Sequence, residues 1–250
     1  MDRKTLITFL LDRTGSMGQI KQATIEAFNA YLDGLRGEFQ GTTDELIEFT
    51  FLQFDSISLD TICIAEPVNT VAYLTHASYQ PRASTPLIDA CVKTIRALAK
   101  SLESRDDNPK IVICFQTDGL ENCSTEHTWD ELNQLIKEKT KAGWQFNFLG
   151  VGIDAYHQAE KMGISLSATV AAARDADALW HAFAASAINA RRYSRGLAED
   201  TGYTTGQRRA AGDRFAQRRG LDSSDLDLTK PTAATKDAKP KPSLVDEPEL

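Results

Sequence analysis

Asp12, Thr14 and Ser16 stand at alternate positions directly after the apolar run 6–11. A carboxylate and two hydroxyls so spaced, on a turn leaving a buried strand, can face one point in space. Such a set suits a hard divalent cation, which takes oxygen ligands. Two later segments carry matching chemistry. Ser84-Thr85-Pro86 puts a hydroxyl ahead of a helix start, and Thr117-Asp118-Gly119 puts a carboxylate at the end of the apolar run 110–116. If the three segments adjoin, Thr14, Ser16 and Thr85 offer hydroxyls while Asp12 and Asp118 offer carboxylates. Each piece alone has a plain structural use. Asp12, Thr14 and Ser16 can cap a helix and satisfy a turn, Thr85-Pro86 can open a helix, and Asp118-Gly119 can make a turn.

The elements that must position these residues alternate along the chain. Residues 5–11 and 110–116 are continuous apolar runs without polar alternation, the pattern of strands buried on both faces. Residues 46–54 and 57–65 read as two β segments around Asp55-Ser56, a hairpin with Asp55 as a turn residue. Residues 69–75 add a short strand or turn, 146–151 another strand and 168–172 a short one. Helical spacing marks 18–36, with Ile20, Ala23, Phe28, Tyr31, Leu32 and Leu35 on one face and Gly34 and Gly37 at the exit. It marks 87–103 as well, through Leu87, Cys91, Ile95, Leu98 and Leu102. Further helices are expected over 128–142, 154–162 and 175–193. Strands alternating with helices predict an α/β fold with a mostly parallel sheet covered on both faces. Ligands in such sheets sit at the carboxyl ends of strands, where Asp12 and Asp118 both fall.

The three segments in this order, on this β/α pattern, resemble a von Willebrand factor type A (vWA) domain with a metal-ion-dependent adhesion site. The family pattern is D-x-[ST]-x-S, then a threonine often followed by proline, then an aspartate often in T-D-G. Phe54-Asp55-Ser56 resembles a segment common in bacterial and phage members. The resemblance spans residues 5 to about 190. It implies a Rossmann-like fold with one antiparallel edge strand. It also implies a metal site in which Thr14, Ser16 and Thr85 ligate the cation and Asp12 and Asp118 act largely through water. Mg²⁺ is the expected ion, with Mn²⁺ or Ca²⁺ as alternatives. The implied activity is metal-dependent recognition of a partner protein that supplies an Asp or Glu carboxylate, with no bond broken. Thr14 stands where many members carry serine, and Ser84 where many carry glycine. The resemblance also allows a regulatory or assembly subunit of an ATPase, stress-response or phage machine. A phosphohydrolase using Asp12 as nucleophile would want a second aspartate two residues later, and Thr14 occupies that place. The chain is therefore read as no enzyme.

Composition narrows the setting. The 250 residues are 42% hydrophobic and 25% charged, enough for one substantial core. Ten basic and ten acidic residues balance within 194–250, so the net charge of −7 belongs to residues 1–193. That charge argues against general nucleic-acid affinity. The apolar run after Met1 is too short for a membrane span, and no small-residue cleavage site follows. A cytoplasmic protein is expected. Cys63, Cys91, Cys114 and Cys123 form no C-x-x-C pair and read as mainly buried free thiols. His76, His127, His157 and His181 show no ligand spacing, and Trp129, Trp144 and Trp180 read as packing residues. The expected domain covers residues 1–193. Residues 194–250, poor in large apolar side chains, are expected to form a disordered tail. Arg208, Arg209, Arg214, Arg218 and Arg219 form a basic cluster there, the one place where nucleic acid could bind.

Overall fold

The computed structural model describes residues 4–37 and 47–219. Its strands are β1 (Thr5–Asp12), β2 (Ile47–Phe54), β3 (Leu59–Pro67), β4 (Lys110–Thr117), β5 (Gln145–Val151) and β6 (Thr169–Ala172). They form one sheet in the order β3-β2-β1-β4-β5-β6. Every neighbouring pair is parallel except β2 and β3, the antiparallel edge pair. The helices are α1 (Lys21–Arg36), α2 (Leu87–Leu102), α3 (Trp129–Lys141), α4 (Ala155–Met162), α5 (Ala176–Ser194), α6 (Thr205–Ala210) and α7 (Arg214–Arg218).

The two-residue period of the strands divides their side chains between two cores. Ile7, Phe9 and Leu11 of β1 and Val112 and Cys114 of β4 face α1 and α5, meeting Phe28, Leu32, Leu179 and Phe183. Leu6 and Leu10 of β1 and Ile111, Ile113 and Phe115 of β4 face α2, α3 and α4, meeting Leu87, Ile95, Leu132 and Tyr156. Both faces of the central strands are thus apolar, which is why their sequences lack polar alternation. Aromatic rings dominate the first core. Phe9 meets Phe28 edge-on at 5.3 Å between centroids, and Phe28 stacks on Phe51 at 4.3 Å.

This packing fixes the strand ends. Leu11 pairs with Gln116 across β1 and β4, so Asp12 and Thr117 finish side by side. The predicted helix over 18–36 begins instead with a 3₁₀ turn, Gly15–Ile20, before α1. The predicted strand or turn over 69–75 opens with another 3₁₀ turn, Val68–Thr70. Cys63, Cys91 and Cys114 are buried free thiols, while Cys123 is half-buried. Among the described residues, no helix is long and apolar enough to cross a membrane.

The packed domain does not end at residue 193. The chain continues through α6 and α7 along the β6 edge, burying Tyr203, Arg208, Ala211, Asp213 and Ala216. Polar anchors hold it there. Asn147 donates from Nδ2 to the Thr201 carbonyl at 3.0 Å, and the Tyr203 hydroxyl meets Ser186 at 2.7 Å. Arg208 donates to the Tyr156 hydroxyl at 3.0 Å and to the carbonyls of Tyr203, Leu166 and Ser167 at 2.6, 3.0 and 2.9 Å. The expected tail boundary therefore moves to at least residue 219, and residues 220–250 lie outside the described residues. Low apolar content misleads here because side-chain hydrogen bonds, more than large apolar groups, fasten the segment. The basic cluster is corrected too. Arg208 is a buried structural cation, and Arg219 pairs with Asp154 and Glu160, so neither belongs to a free basic face.

Replacing Arg208 with methionine strips hydrogen-bond donors from buried acceptors. It should cost roughly 3 kcal/mol, read as a lower urea midpoint with an unchanged m-value. A loss below about 0.5 kcal/mol, the range of an ordinary surface change, would contradict the anchoring role.

Candidate metal centre

The three segments singled out above meet at the carboxyl end of the sheet. β1 delivers Asp12, and the turn behind it carries Thr14 and Ser16. β4 delivers Thr117, followed by Asp118 and Gly119. Thr85 lies just ahead of α2. Backbone hydrogen bonds stitch the loops together. The Gly15 amide donates to the Ala83 carbonyl at 3.0 Å, and the Arg82 amide to the Arg13 carbonyl at 2.9 Å. Thr85 and Asn122 hold each other, the Thr85 amide donating to Asn122 Oδ1 at 2.9 Å and the Asn122 amide to the Thr85 carbonyl at 3.1 Å.

The oxygens converge. Asp12 Oδ1 accepts the Thr14 amide at 2.6 Å, and Asp12 Oδ2 accepts the Thr117 hydroxyl. Ser16 Oγ donates to Asp118 Oδ1 at 2.5 Å and stands 3.4 Å from Thr14 Oγ1. Thr85 enters through Gly119. A methyl group placed on Gly119 would stand 3.2 Å from Thr85 Oγ1, 3.7 Å from Ser16 Oγ and 3.8 Å from Thr117 Oγ1. Glycine at this position leaves a small cradle rimmed by hydroxyl oxygens beside two carboxylates. All five candidate residues, Asp12, Thr14, Ser16, Thr85 and Asp118, border this cluster.

The capping alternative accounts for only part of this geometry. Asp12 does stabilise its turn by accepting the Thr14 amide. Thr14, however, occupies the cap position of the 3₁₀ turn without a side-chain capping bond, and the cap position of α2 belongs to Pro86, not Thr85. The N-terminus of α2 is instead served by Glu121, which accepts the Ile88 amide at 2.9 Å.

Electrostatics points the same way. Asp12 is fully buried, and desolvation pushes its carboxyl up from 3.8 to about 6 despite hydrogen bonds from Thr117 and Thr14; the nearby Asp118 charge adds to the rise. Burial likewise raises Asp118, against the Ser16 hydrogen bond and the Arg174 charge. Two buried carboxylates at the ends of adjacent strands, each costly to ionise in a dry site, suit a nearby cation. The donor set is oxygen throughout, which fits Mg²⁺, Mn²⁺ or Ca²⁺ better than a soft ion. Among the described residues no three His, Cys, Asp or Glu side chains gather as a metal cage. The present set, with only two carboxylates, is completed by hydroxyls.

Several participants had no distinctive signal in the sequence. Tyr79 donates its hydroxyl to the Asp12 carbonyl at 2.6 Å, pinning the strand end. Arg13 turns away from the cluster. Its Nε donates to Asp55 at 3.0 Å, and its other donors reach Ser58 and Asp60. Asp55 is the hairpin-turn residue expected, accepting the Ile57 and Ser58 amides at 2.7 and 2.9 Å, and it also binds Arg82. Burial would raise the Asp55 carboxyl, but these hydrogen bonds and the Arg13 charge outweigh it and hold it below the usual range. Arg174, after β6, donates to the Asp118 carbonyl at 3.2 Å and to Asp118 Oδ2 at 3.3 Å. An isolated arginine outside every motif carries no such message.

No family model and no curated protein sequence matches the chain. Solved structures do. Proximal thread matrix protein 1 from the mussel byssus aligns with a TM-score of 0.56 at 13% identity, over 76% of this chain and 48% of that one. The chain thus spans about half the length of that protein. The VWA domain of SpRpn10 aligns at a TM-score of 0.50 and 10% identity, over 75% of this chain and 94% of that domain. The vWF domain of the pilus tip protein Mfa5 from Porphyromonas gingivalis aligns at 0.51 and 7%, over 79% and 96%. The fold is that of a vWA domain. The expected mostly parallel sheet with one antiparallel edge strand is the observed one. A further structure of the mussel protein is described with a zinc-occupied metal-ion-dependent adhesion site (MIDAS) motif, at a TM-score of 0.52 and 14% identity, over 76% of this chain and 48% of that one.

The raised Asp12 carboxyl predicts a pH dependence of defined sign. A carboxyl raised by folding holds its proton more tightly in the folded state. Without divalent cations the fold therefore loses roughly 3 kcal/mol of stability from this group as pH rises from about 4 through about 6. A cation needs the ionised form, so the rise in melting temperature produced by Mg²⁺ should be full at pH 7.5 and shrink as pH falls through 6. Thermal melts in Mg²⁺ and in EDTA at pH 5.0 and 7.5 measure both effects. A Mg²⁺ shift of equal size at the two pH values would contradict the assignment.

Proposed function

We propose that this vWA domain is a cation-dependent protein-recognition module. Ser16, Thr85 and Thr14 are its direct ligands, and Asp12 and Asp118 hold the ion largely through water. The observation that carries this reading is the Gly119 cradle, where hydroxyls of two loops close on two buried carboxylates. When bound, the cation supplies a Lewis-acid position open to an outside oxygen, and a partner Asp or Glu carboxylate suits it best. Neutral hydroxyls in the first shell leave the ion short of negative charge. Ser16 and Asp118 orient each other, Thr117 fixes Asp12, and Asn122 holds Thr85 at the rim. Mg²⁺ is the proposed ion because the donors are all oxygen and partly neutral, and Mn²⁺ would substitute in the same ligand set. The chemistry is recognition without turnover. Thr14 provides a hydroxyl where a phosphotransferase of the Asp-nucleophile type would want its acid–base carboxylate. The module is proposed to work in the cytoplasm as a regulatory or assembly component whose partner carries the acidic residue.

Thr85→Ala removes one ligand at a rim position without opening the core. The full-length chain, used as bait in a lysate of its native host, should retain a partner in Mg²⁺ and release it in EDTA. Thr85→Ala should fail to retain it while keeping its circular dichroism spectrum and melting temperature in EDTA. Capture that survives both EDTA and the substitution would refute metal-dependent recognition.

A further inference from the structure

The charge count of the cluster poses a difficulty that one residue resolves. With Asp12 and Asp118 both ionised, their two charges balance a divalent cation overall even though its direct ligands are neutral, so the centre as a whole draws an outside carboxylate only weakly. Arg174 changes this balance. Among the described residues its guanidinium is the one cation within hydrogen-bond reach of either aspartate, at 3.3 Å from Asp118 Oδ2 and 3.2 Å from the Asp118 carbonyl. The two other arginines near the cluster are committed elsewhere, since Arg13 and Arg82 share Asp55, and Asp60 takes a further bond from Arg13. Asp118 is fully enclosed, whereas the Arg174 side chain remains 41% exposed, so the guanidinium reaches solvent at the site's own rim.

The fold builds a seat for this side chain. Gly152, at the end of β5, has φ +69°, and a Cβ there would overlap Arg174, with Arg174 Cγ only 2.6 Å away. The loop carrying Arg174 is clamped from the other side by the segment after α6. The Ala173 amide donates to the Ala211 carbonyl at 3.0 Å, and Asp213 Oδ2 accepts the Ala171 amide at 2.9 Å and the Tyr156 hydroxyl at 2.7 Å. Asp175 caps α5 immediately behind it by accepting the Ala178 amide at 2.8 Å. Gly152 and the segment after α6 thus fix where the Arg174 side chain lies.

We propose that Arg174 is the specificity-determining second anchor of the cation site. It restores one positive charge to the loaded centre and presents donors to the second oxygen of the arriving group. The ligand class it selects is therefore a carboxylate able to meet the cation with one oxygen and the guanidinium with the other. A planar guanidinium suits such a fork, and a lysine ammonium does so less well. The same charge opposes the metal, so the site trades cation affinity for anion affinity. This inference rests on the cation reading given above.

Mn²⁺ and acetate test it on the full-length chain. Mn²⁺ binding is measured by calorimetry, and acetate binding to the loaded protein by the fall in water-proton relaxation as bound water is displaced. Arg174→Gln should bind Mn²⁺ about fivefold to tenfold more tightly, since a like charge a few ångströms away is removed. Its acetate midpoint should rise about tenfold. Arg174→Lys should keep the Mn²⁺ affinity of the wild type and show an acetate midpoint between the two. Gly152→Ala, which retains the arginine but fills its seat, should move both readings in the direction of Arg174→Gln. Melting temperatures of the Arg174 variants in EDTA should stay within about 2 °C, which separates a shifted acetate midpoint from a general loss of structure. An acetate midpoint unchanged in Arg174→Gln overturns the second anchor while the cation reading stands. A wild-type chain that binds no Mn²⁺ overturns both.

Discussion

Asp12 and Asp118 are buried almost side by side at the ends of adjacent parallel strands, and each raises the cost of ionising in a dry site. Their burial, more than their mutual repulsion, sets the demand that the groups around them meet at the carboxyl edge of the sheet. Left alone, the pair would favour protonation. Hydroxyls from Thr117 and Ser16, the Thr14 amide and the Arg174 guanidinium offset part of the cost. They do not remove it, since both carboxyls remain raised. In the proposed reading a divalent cation would offset the remainder, which would link the fold to the function.

The scaffold makes this arrangement rigid. Apolar side chains on both faces of β1 and β4 lock their register, so the strand ends cannot slide apart. The hairpin between β2 and β3 reaches up to the site through Asp55, which gathers Arg13 and Arg82 and so ties the first loop to the loop before α2. Asn122 closes the ring by pairing with Thr85. The segment from Tyr203 to Asp213 then braces the β6 edge and the loop that carries Arg174. A site assembled from four loops is in this way held by backbone hydrogen bonds and ion pairs of the chain itself.

Much of this was legible in the sequence, for reasons tied to particular residues. The strands β1 and β4 announce themselves because burial on both faces leaves no polar position, and Asp12 and Asp118 stand out as the first charges after them. The hydroxyls of Thr14, Ser16 and Thr85 draw notice only in combination with those charges. What escaped notice depends on long-range pairing. Arg208 looks like one of a solvated basic cluster, yet its neighbours in space are carbonyls of residues 166, 167 and 203. Arg174 lies outside every motif and acquires its place only because β6 sets its loop beside β4's end. Tyr79 and Asn122 are similar cases, with ordinary local sequence and partners that only the folded chain supplies.

The position of the cation tests this account most directly. A crystal of the full-length chain grown in Mn²⁺ at pH 7.5 should give one strong anomalous peak at the carboxyl edge of the sheet. It should lie within about 2.3 Å of both Ser16 Oγ and Thr85 Oγ1, with Asp12 and Asp118 in its outer shell. An anomalous map with no peak there, or with its main peak bound to carboxylates elsewhere on the surface, would contradict it.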